Sequence, residues 1–315
     1  MAIDKAIDST KLNACCTAEA NAIRAKTGGS SQLAYDYANS KGFADAIAAI
    51  PTGGGSDIPA KVGDGKTYIY IDFPEDTPST RRTFYVRFTG TVSNGVTIDW
   101  GDGTTETVGS TTATDYPHTY TSTGKFTIKL TVNSGTISFD GVSGISGSAI
   151  FGAIQIYHNR YRIYAIEIGD NVTSIGECGV EYCYNLKSVI ISGNVESVGS
   201  NAFYADYYLQ NVTLPNSLTS IGNSAFGNCY SMRSITVPAN VTSIGTLVFA
   251  YWYDATEYHF QSTTPPTLAS SNAFSGIPSD CVIYVPYSAD HSIRNAYKTA
   301  TNWSNYSSYI REEPQ

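Results

Sequence analysis

A spacing of 23 residues recurs through the second half of this chain and constrains its fold more than any other feature. The dipeptides Ile175-Gly176, Val198-Gly199, Ile221-Gly222 and Ile244-Gly245 stand 23 residues apart. Val180, Phe203, Phe226 and Phe249 keep that interval, as do Ile166, Val189, Val212, Ile235 and Tyr258. Apolar positions in register at a fixed period specify a solenoid. One coil cannot bury its apolar edge alone, whereas stacked coils share a continuous core. Pairs such as Val212/Leu214 and Ile235/Val237 alternate as short strands, which stack in parallel about 4.8 Å apart.

The rest of the 315 residues divides by changes of period. Over residues 1–50, Leu12, Cys16, Ala20 and Ile23 follow helical spacing, and Gly28 ends the run. Phe43, Ile47 and Ile50 make a second stripe, stopped by Pro51. Helices this short are marginal alone in water, so this segment is expected to anchor on a partner or on sister copies, with a trimer as one form. Residues 51–57 hold three consecutive glycines and read as a flexible linker. Residues 58–135 alternate with a period of two in Tyr68–Ile71, Phe84–Phe88, Val96–Trp100 and Phe126–Val132, separated by turn signals such as Asn94-Gly95. Short strands at this spacing suggest a β-sandwich. The repeats occupy residues 136–285, and residues 286–315 read as a helical cap. The fold class is mainly β and multidomain.

Three segments resemble known families. The run VTIDWGDGTTETV…YPHTYTSTGKFTIKLTV resembles a polycystic kidney disease (PKD) domain. That resemblance implies an Ig-like sandwich with Trp100 in the inter-sheet core, Asp102 and Gly103 in a tight turn, and a spacer or binding role. The units NVTSIGECGVEYCYNLKSVIIS and LTSIGNSAFGNCYSMRSITVP resemble BspA-type leucine-rich repeats, in which a last strand, here Ile283 to Val285, precedes a closing helix. The segment AEANAIRAKTGGSSQLAYDYANSKGFADAIAAIP resembles the start of phage and prophage tail-associated proteins. It implies attachment to virion or tail components.

The repeat register also points to a recognition surface. Tyr161, Tyr184, Tyr207, Tyr230 and Tyr253 lie 23 residues apart and would form a ladder along one edge. Flanking columns vary: Asn159, Tyr182, Ala205, Asn228 and Tyr251 in one, and Arg160, Cys183, Asp206, Cys229 and Trp252 in the next. The column after the ladder reads Arg162, Asn185, Tyr208, Ser231 and Asp254. A regular scaffold bearing Tyr, Trp, Asn, Ser and Asp has the composition of a paratope, because aromatic rings give contact area at low entropy cost. The expected ligand-binding set is therefore the five ladder tyrosines with Tyr182, Asn185, Asp206, Tyr208, Asn228, Ser231, Tyr251, Trp252 and Asp254. The strand face, with Lys187, Gln210 and Arg233 beside Ile190, Thr213, Thr236 and His259, is the second candidate.

Composition and motifs narrow the function. Charged residues make up 15% and the net charge is -8, so no basic stripe exists to neutralise nucleic-acid phosphates. No apolar run approaches the ~20 residues that cross a bilayer. The start lacks the basic flank and apolar core of a secretory signal, from which retention in the producing cell or export by another route is expected. The six cysteines fit free, buried thiols, since Cys183 and Cys229 are two coils apart and no C-x-x-C pair occurs. His118, His158, His259 and His291 are scattered, and no catalytic fingerprint is present. Asp99, Asp102 and Glu106 offer oxygen ligands of the kind calcium takes, with turn formation the preferred reading, so no essential metal and no cofactor is expected. The expectation is a non-enzymatic protein that binds a bacterial surface protein or glycan. Its first form is a phage-tail receptor-binding protein on the virion, and its alternative a BspA-like adhesin on the bacterial cell surface.

Overall fold

The computed structural model describes residues 59, 61–109, 114–139 and 159–314. The helices and linker expected over residues 1–57 lie outside the described residues. Asp57–Gln315 forms one compact unit.

The period-two segments become strands because alternate side chains enter a common core. In chain order these are β1 (Thr67–Phe73), β2 (Thr83–Val92), β3 (Val96–Asp99), β4 (Thr105–Val108), β5 (Thr114–Thr119), β6 (Gly124–Val132) and β7 (Gly135–Phe139). One antiparallel sheet carries β1, β6, β3 and β4 in that order, and a second carries β7, β2 and β5. Ile69, Ile71 and Phe73 of β1 share a buried cluster with Phe84, Val86 and Phe88 of β2 and with Trp100. The polar residues of the turn are engaged locally. Asp102 Oδ1 accepts the Thr104 N–H at 3.0 Å, and Glu106 accepts the Trp100 indole N–H at 3.0 Å. His118 stacks on Trp100 with ring centroids 4.7 Å apart.

The strand pairing differs from that of a constant-type immunoglobulin sandwich. A constant-type immunoglobulin sandwich keeps strands one, two, four and five on one sheet and three, six and seven on the other. Here β1, β4 and β7 each lie on the opposite sheet. The exchange leaves β1 and β7 as the edges on which the coils begin.

Each coil supplies two strands. The first series is β8 (Ile163–Ile168), β10 (Ser188–Ile191), β12 (Asn211–Thr213), β14 (Ser234–Val237), β16 (Glu257–Phe260) and β18 (Val282–Val285). The second is β9 (Val172–Ile175), β11 (Ser197–Val198), β13 (Ser220–Ile221), β15 (Ser243–Ile244) and β17 (Thr267–Leu268). Pairing is parallel and in the expected register, with Ile166 beside Val189, Val189 beside Val212, and Ile235 beside Tyr258, but no strand ladder joins β12 to β14, so the series falls into two sheets. β8 adds antiparallel to β1, and β9 adds parallel to β7. Both sheets of the sandwich therefore run on into the solenoid. That closure leaves the first coil no unpaired backbone edge at its N-terminal side.

The glycine that follows β11, β13 and β15 has a steric reason. A Cβ at Gly222 would lie 2.5 Å from the Ser200 backbone nitrogen, and one at Gly245 would lie 2.6 Å from that of Asn223. Coils touch backbone to backbone there. At the far end α1 (Ser292–Thr299) provides the expected helix, and then β19 (Ile310–Glu312) adds parallel to β18. That last strand departs from a purely helical cap. Buried Tyr297, Trp303 and Tyr306 close the core beneath it.

Candidate functional site

Parallel pairing in register brings residues 23 apart into contact, and the tyrosine ladder follows directly. Ring centroids are 4.9 Å apart for Tyr161–Tyr184, 5.4 Å for Tyr184–Tyr207, 4.8 Å for Tyr207–Tyr230 and 5.3 Å for Tyr230–Tyr253. All five rings are half-buried, each with part of its surface in solvent. Burial pushes the Tyr207 hydroxyl well above the ordinary tyrosine range, and its neighbours Tyr184 and Tyr230 add to the shift. Tyr207 therefore presents a neutral phenol to its neighbours.

Two residues before Tyr184, Tyr207, Tyr230 and Tyr253 the chain takes a left-handed turn. Tyr182, Ala205, Asn228 and Tyr251 have φ of 60°, 60°, 60° and 63°. A second left-handed column, Cys178, Asn201, Ser224 and Leu247, precedes it with φ of 53–58°. Paired reversals fold the coil back sharply and project side chains outward from its corner. Tyr182 and Tyr251 lie against the ladder, with centroids 6.0 Å from Tyr184 and 6.4 Å from Tyr253. Tyr204 meets Tyr182 edge-on at 5.7 Å. Eight tyrosines thus form one unbroken series of ring contacts.

Beside this series a groove of about 480 Å³ opens over the left-handed turns. Glu177, Tyr182, Tyr204, Asn228 and Tyr251 are among the residues lining it. Asn228 donates from Nδ2 to the Tyr204 hydroxyl at 2.9 Å. Tyr251, 41% exposed, is among the few large apolar side chains so open to solvent in the described residues. Cys178 lines the groove too, its thiol pushed up to about 12 by burial, with Glu181 adding to the shift. Tyr204 and Glu177 belonged to no expected site column. The available signal was Gly227, 23 residues after Tyr204: a Cβ there would come within 3.3 Å of the Tyr204 ring.

Two expected contact residues are corrected by the structure. Asp206 and Trp252 are both 0% exposed. Their column, with Arg160, Cys183 and Cys229, points into the coil interior, so it varies in chemistry without reaching a partner. Asp206 Oδ1 accepts the Cys183 backbone N–H at 2.7 Å. Trp252 donates its indole N–H to the Phe226 carbonyl at 2.6 Å and stacks on Tyr258. In the column after the ladder, Asn185 donates to the Tyr161 carbonyl at 2.6 Å and so bridges two coils. Tyr208 and Ser231 are half-buried, and Asp254 is exposed.

On the strand face, Gln210 and Arg233 are exposed while Lys187 is half-buried. His259 is engaged with Glu313, Nδ1 to Oε1 at 2.6 Å, and stacks on Tyr284. Glu167 is buried and accepts the Val62 and Gly63 N–H groups, both at 2.8 Å. The four described cysteines, Cys178, Cys183, Cys229 and Cys281, are free and buried. Among the described residues no group of His, Cys, Asp and Glu is arranged to hold a metal, and no helix is long and apolar enough to cross a membrane.

No curated protein matches the chain. Several solved structures are similar at low identity. A leucine-rich cell surface protein from Faecalibacterium prausnitzii is 23% identical, with 55% of this chain and 41% of that one covered and a TM-score of 0.42. A leucine-rich repeat protein of T. pallidum is 18% identical, covers 48% and 64%, and has a TM-score of 0.34. One from Bacteroides ovatus is 19% identical, covers 48% and 43%, and has a TM-score of 0.36. The match spans less than two thirds of the length of each of these proteins. Residues 154–280 match the model of the BspA-type leucine-rich repeat region in six copies. The coils described above are therefore a leucine-rich repeat region of the BspA type.

Proposed function

We propose that this protein is a non-enzymatic adhesin of the BspA-like type, acting at a bacterial surface and binding a protein or glycan through its tyrosine edge. The observation that carries the reading is the ladder itself: five half-buried tyrosines in successive ring contact on a repeat scaffold, with Tyr207 and Tyr230 face to face. Rings held by one another lose little freedom on binding, and Tyr is enriched where interfaces draw their energy. The antiparallel strands of β1–β7 act in this reading as the cap of the first coil. The receptor-binding role on a phage tail rests on residues 1–50 alone. Immunogold labelling distinguishes the two: label on bacterial walls supports the adhesin, and label on induced virions supports the tail protein.

Binding of the intact chain to bacterial cells tests the ladder. Tyr207→Ala with Tyr230→Ala is expected to reduce binding at least tenfold. Tyr207→Phe with Tyr230→Phe keeps the stack and controls for folding, each half-buried ring pair being worth about 0.5–1.5 kcal/mol. A folded alanine pair that binds like wild type would remove the ladder from the interface.

A further inference from the structure

The groove over the left-handed turns has a shape set by one column of the repeat. Tyr182 and Tyr251 stand three coils apart, about 14 Å at a coil rise of about 4.8 Å. Between them the same column holds only Asn228 and the buried Ala205, and the column just before it reads Tyr204, Gly227 and Ala250. Two aromatic walls, the first backed edge-on by Tyr204, therefore bound a floor that is small at Gly227, Asn228 and Ala250.

The backbone of that floor is closed. The N–H groups of Cys178, Val180, Tyr182, Ala205 and Asn228 each donate to a carbonyl one coil on. No strand edge is offered to which an extended peptide could add its main chain, so recognition must come from side chains. Those side chains are aromatic rings, the amides of Asn201 and Asn228, the Ser224 hydroxyl and the exposed carboxylate of Glu177. Rings that present flat faces, with a few fixed polar groups between them, suit a ligand having apolar C–H faces rimmed by hydroxyls. Glu177, the buried Glu181 and a net charge of -8 disfavour an anion.

Building on the adhesin reading, we infer that this groove is a glycan subsite for an oligosaccharide of about three rings, neutral or amine-bearing, held between Tyr182 and Tyr251. The terminal sugars pack on the two tyrosines, while Asn228 and Glu177 bond hydroxyl or amine groups between them. The groove is contiguous with the ladder through the Tyr182–Tyr184 and Tyr251–Tyr253 contacts, so a longer chain could continue along the edge.

Calorimetry of the full chain with a panel of neutral, amine-bearing and sialylated trisaccharides tests this. Chitotriose and its de-N-acetylated form serve as the first two probes, and sialyllactose as the third. Binding of a neutral or amine-bearing trimer at least tenfold tighter than its monosaccharide, and tenfold weakening by Tyr251→Ala, is expected. Glu177→Gln should weaken the amine-bearing trimer more than the neutral one. Failure of the whole panel to bind, preferential binding of sialyllactose, or insensitivity to Tyr251→Ala would each overturn the assignment. Ladder-dependent binding to bacterial cells that persists in Tyr251→Ala, with no trisaccharide bound, would leave the adhesin reading standing without this subsite. Loss of both would remove the two together.

Discussion

Asp206 shows how far one position can depart from the logic of its repeat. It occupies a column that carries Cys183 one coil before and Cys229 one coil after, and it is buried as completely as they are. Its Oδ1 has a partner in the Cys183 N–H, while Oδ2 has none. Burial raises its pKa well above the carboxylate range, the Cys183 bond opposes this, Glu181 adds to it and Arg160 opposes it. A folded pKa above the unfolded value of about 3.9 means that protonation favours the native state. Stability is thus fullest below that value and falls as pH rises toward the folded pKa. Urea midpoints between pH 4 and pH 8 should decline for wild type, and Asp206→Asn should flatten the decline and raise the midpoint at pH 8. A steeper decline in the variant would show that the carboxylate is compensated in the core. The sequence placed Asp206 in a variable column, and variability was read as exposure. The direction of a side chain at a tight corner depends on two consecutive left-handed turns that carry no glycine, which left no sign in the pattern.

At the scale of elements, the first-series strands, the coil period and the ladder were legible because each rests on residues repeated in register. The second-series strands were not, since Ser197–Val198, Ser220–Ile221 and Ser243–Ile244 are two residues long and too short for any alternation. β19 was missed for a related reason: Ile310–Glu312 offers a single apolar residue and owes its form to the edge of β18. His259 and His291 tie it down through Glu313 and Glu312, each at 2.6 Å. Deleting Ile310 to Gln315 uncovers the β18 edge and the core beneath Ile310. The loss should be about 1.5–3 kcal/mol from the one buried isoleucine. Concentration-dependent self-association should follow in light scattering. A truncated chain that stays monomeric with unchanged melting would count against an edge-capping role.

Across the whole molecule, the sandwich and the solenoid are joined by backbone ladders on both sheets and by one hydrophobic cluster running from Ile69 to Ile310. Domains linked only by a tether unfold separately, whereas shared sheets couple them. Calorimetric melting of the chain should give a single transition for Asp57–Gln315. Two resolved transitions, one belonging to β1–β7, would mean that the ladders β1–β8 and β7–β9 carry little of the stability. The coupling also bears on function, because a ladder rigidly continuous with its cap cannot swing on a hinge between them. The tyrosine edge keeps a fixed direction relative to the sandwich.

The amino-acid sequence alone determined the period, the parallel register and the identity of the residues that would stack, because each coil repeats the same apolar positions and stacking forces equivalent side chains together. Only the tertiary structure decided which face of each corner meets solvent, that Asp206 and Trp252 turn inward, that a groove opens between Tyr182 and Tyr251, and that the sandwich closes the first coil. Those outcomes depend on backbone reversals and on edge-to-edge pairing between segments far apart in the chain, where hydrogen-bond geometry acts without any periodic signature in the residues.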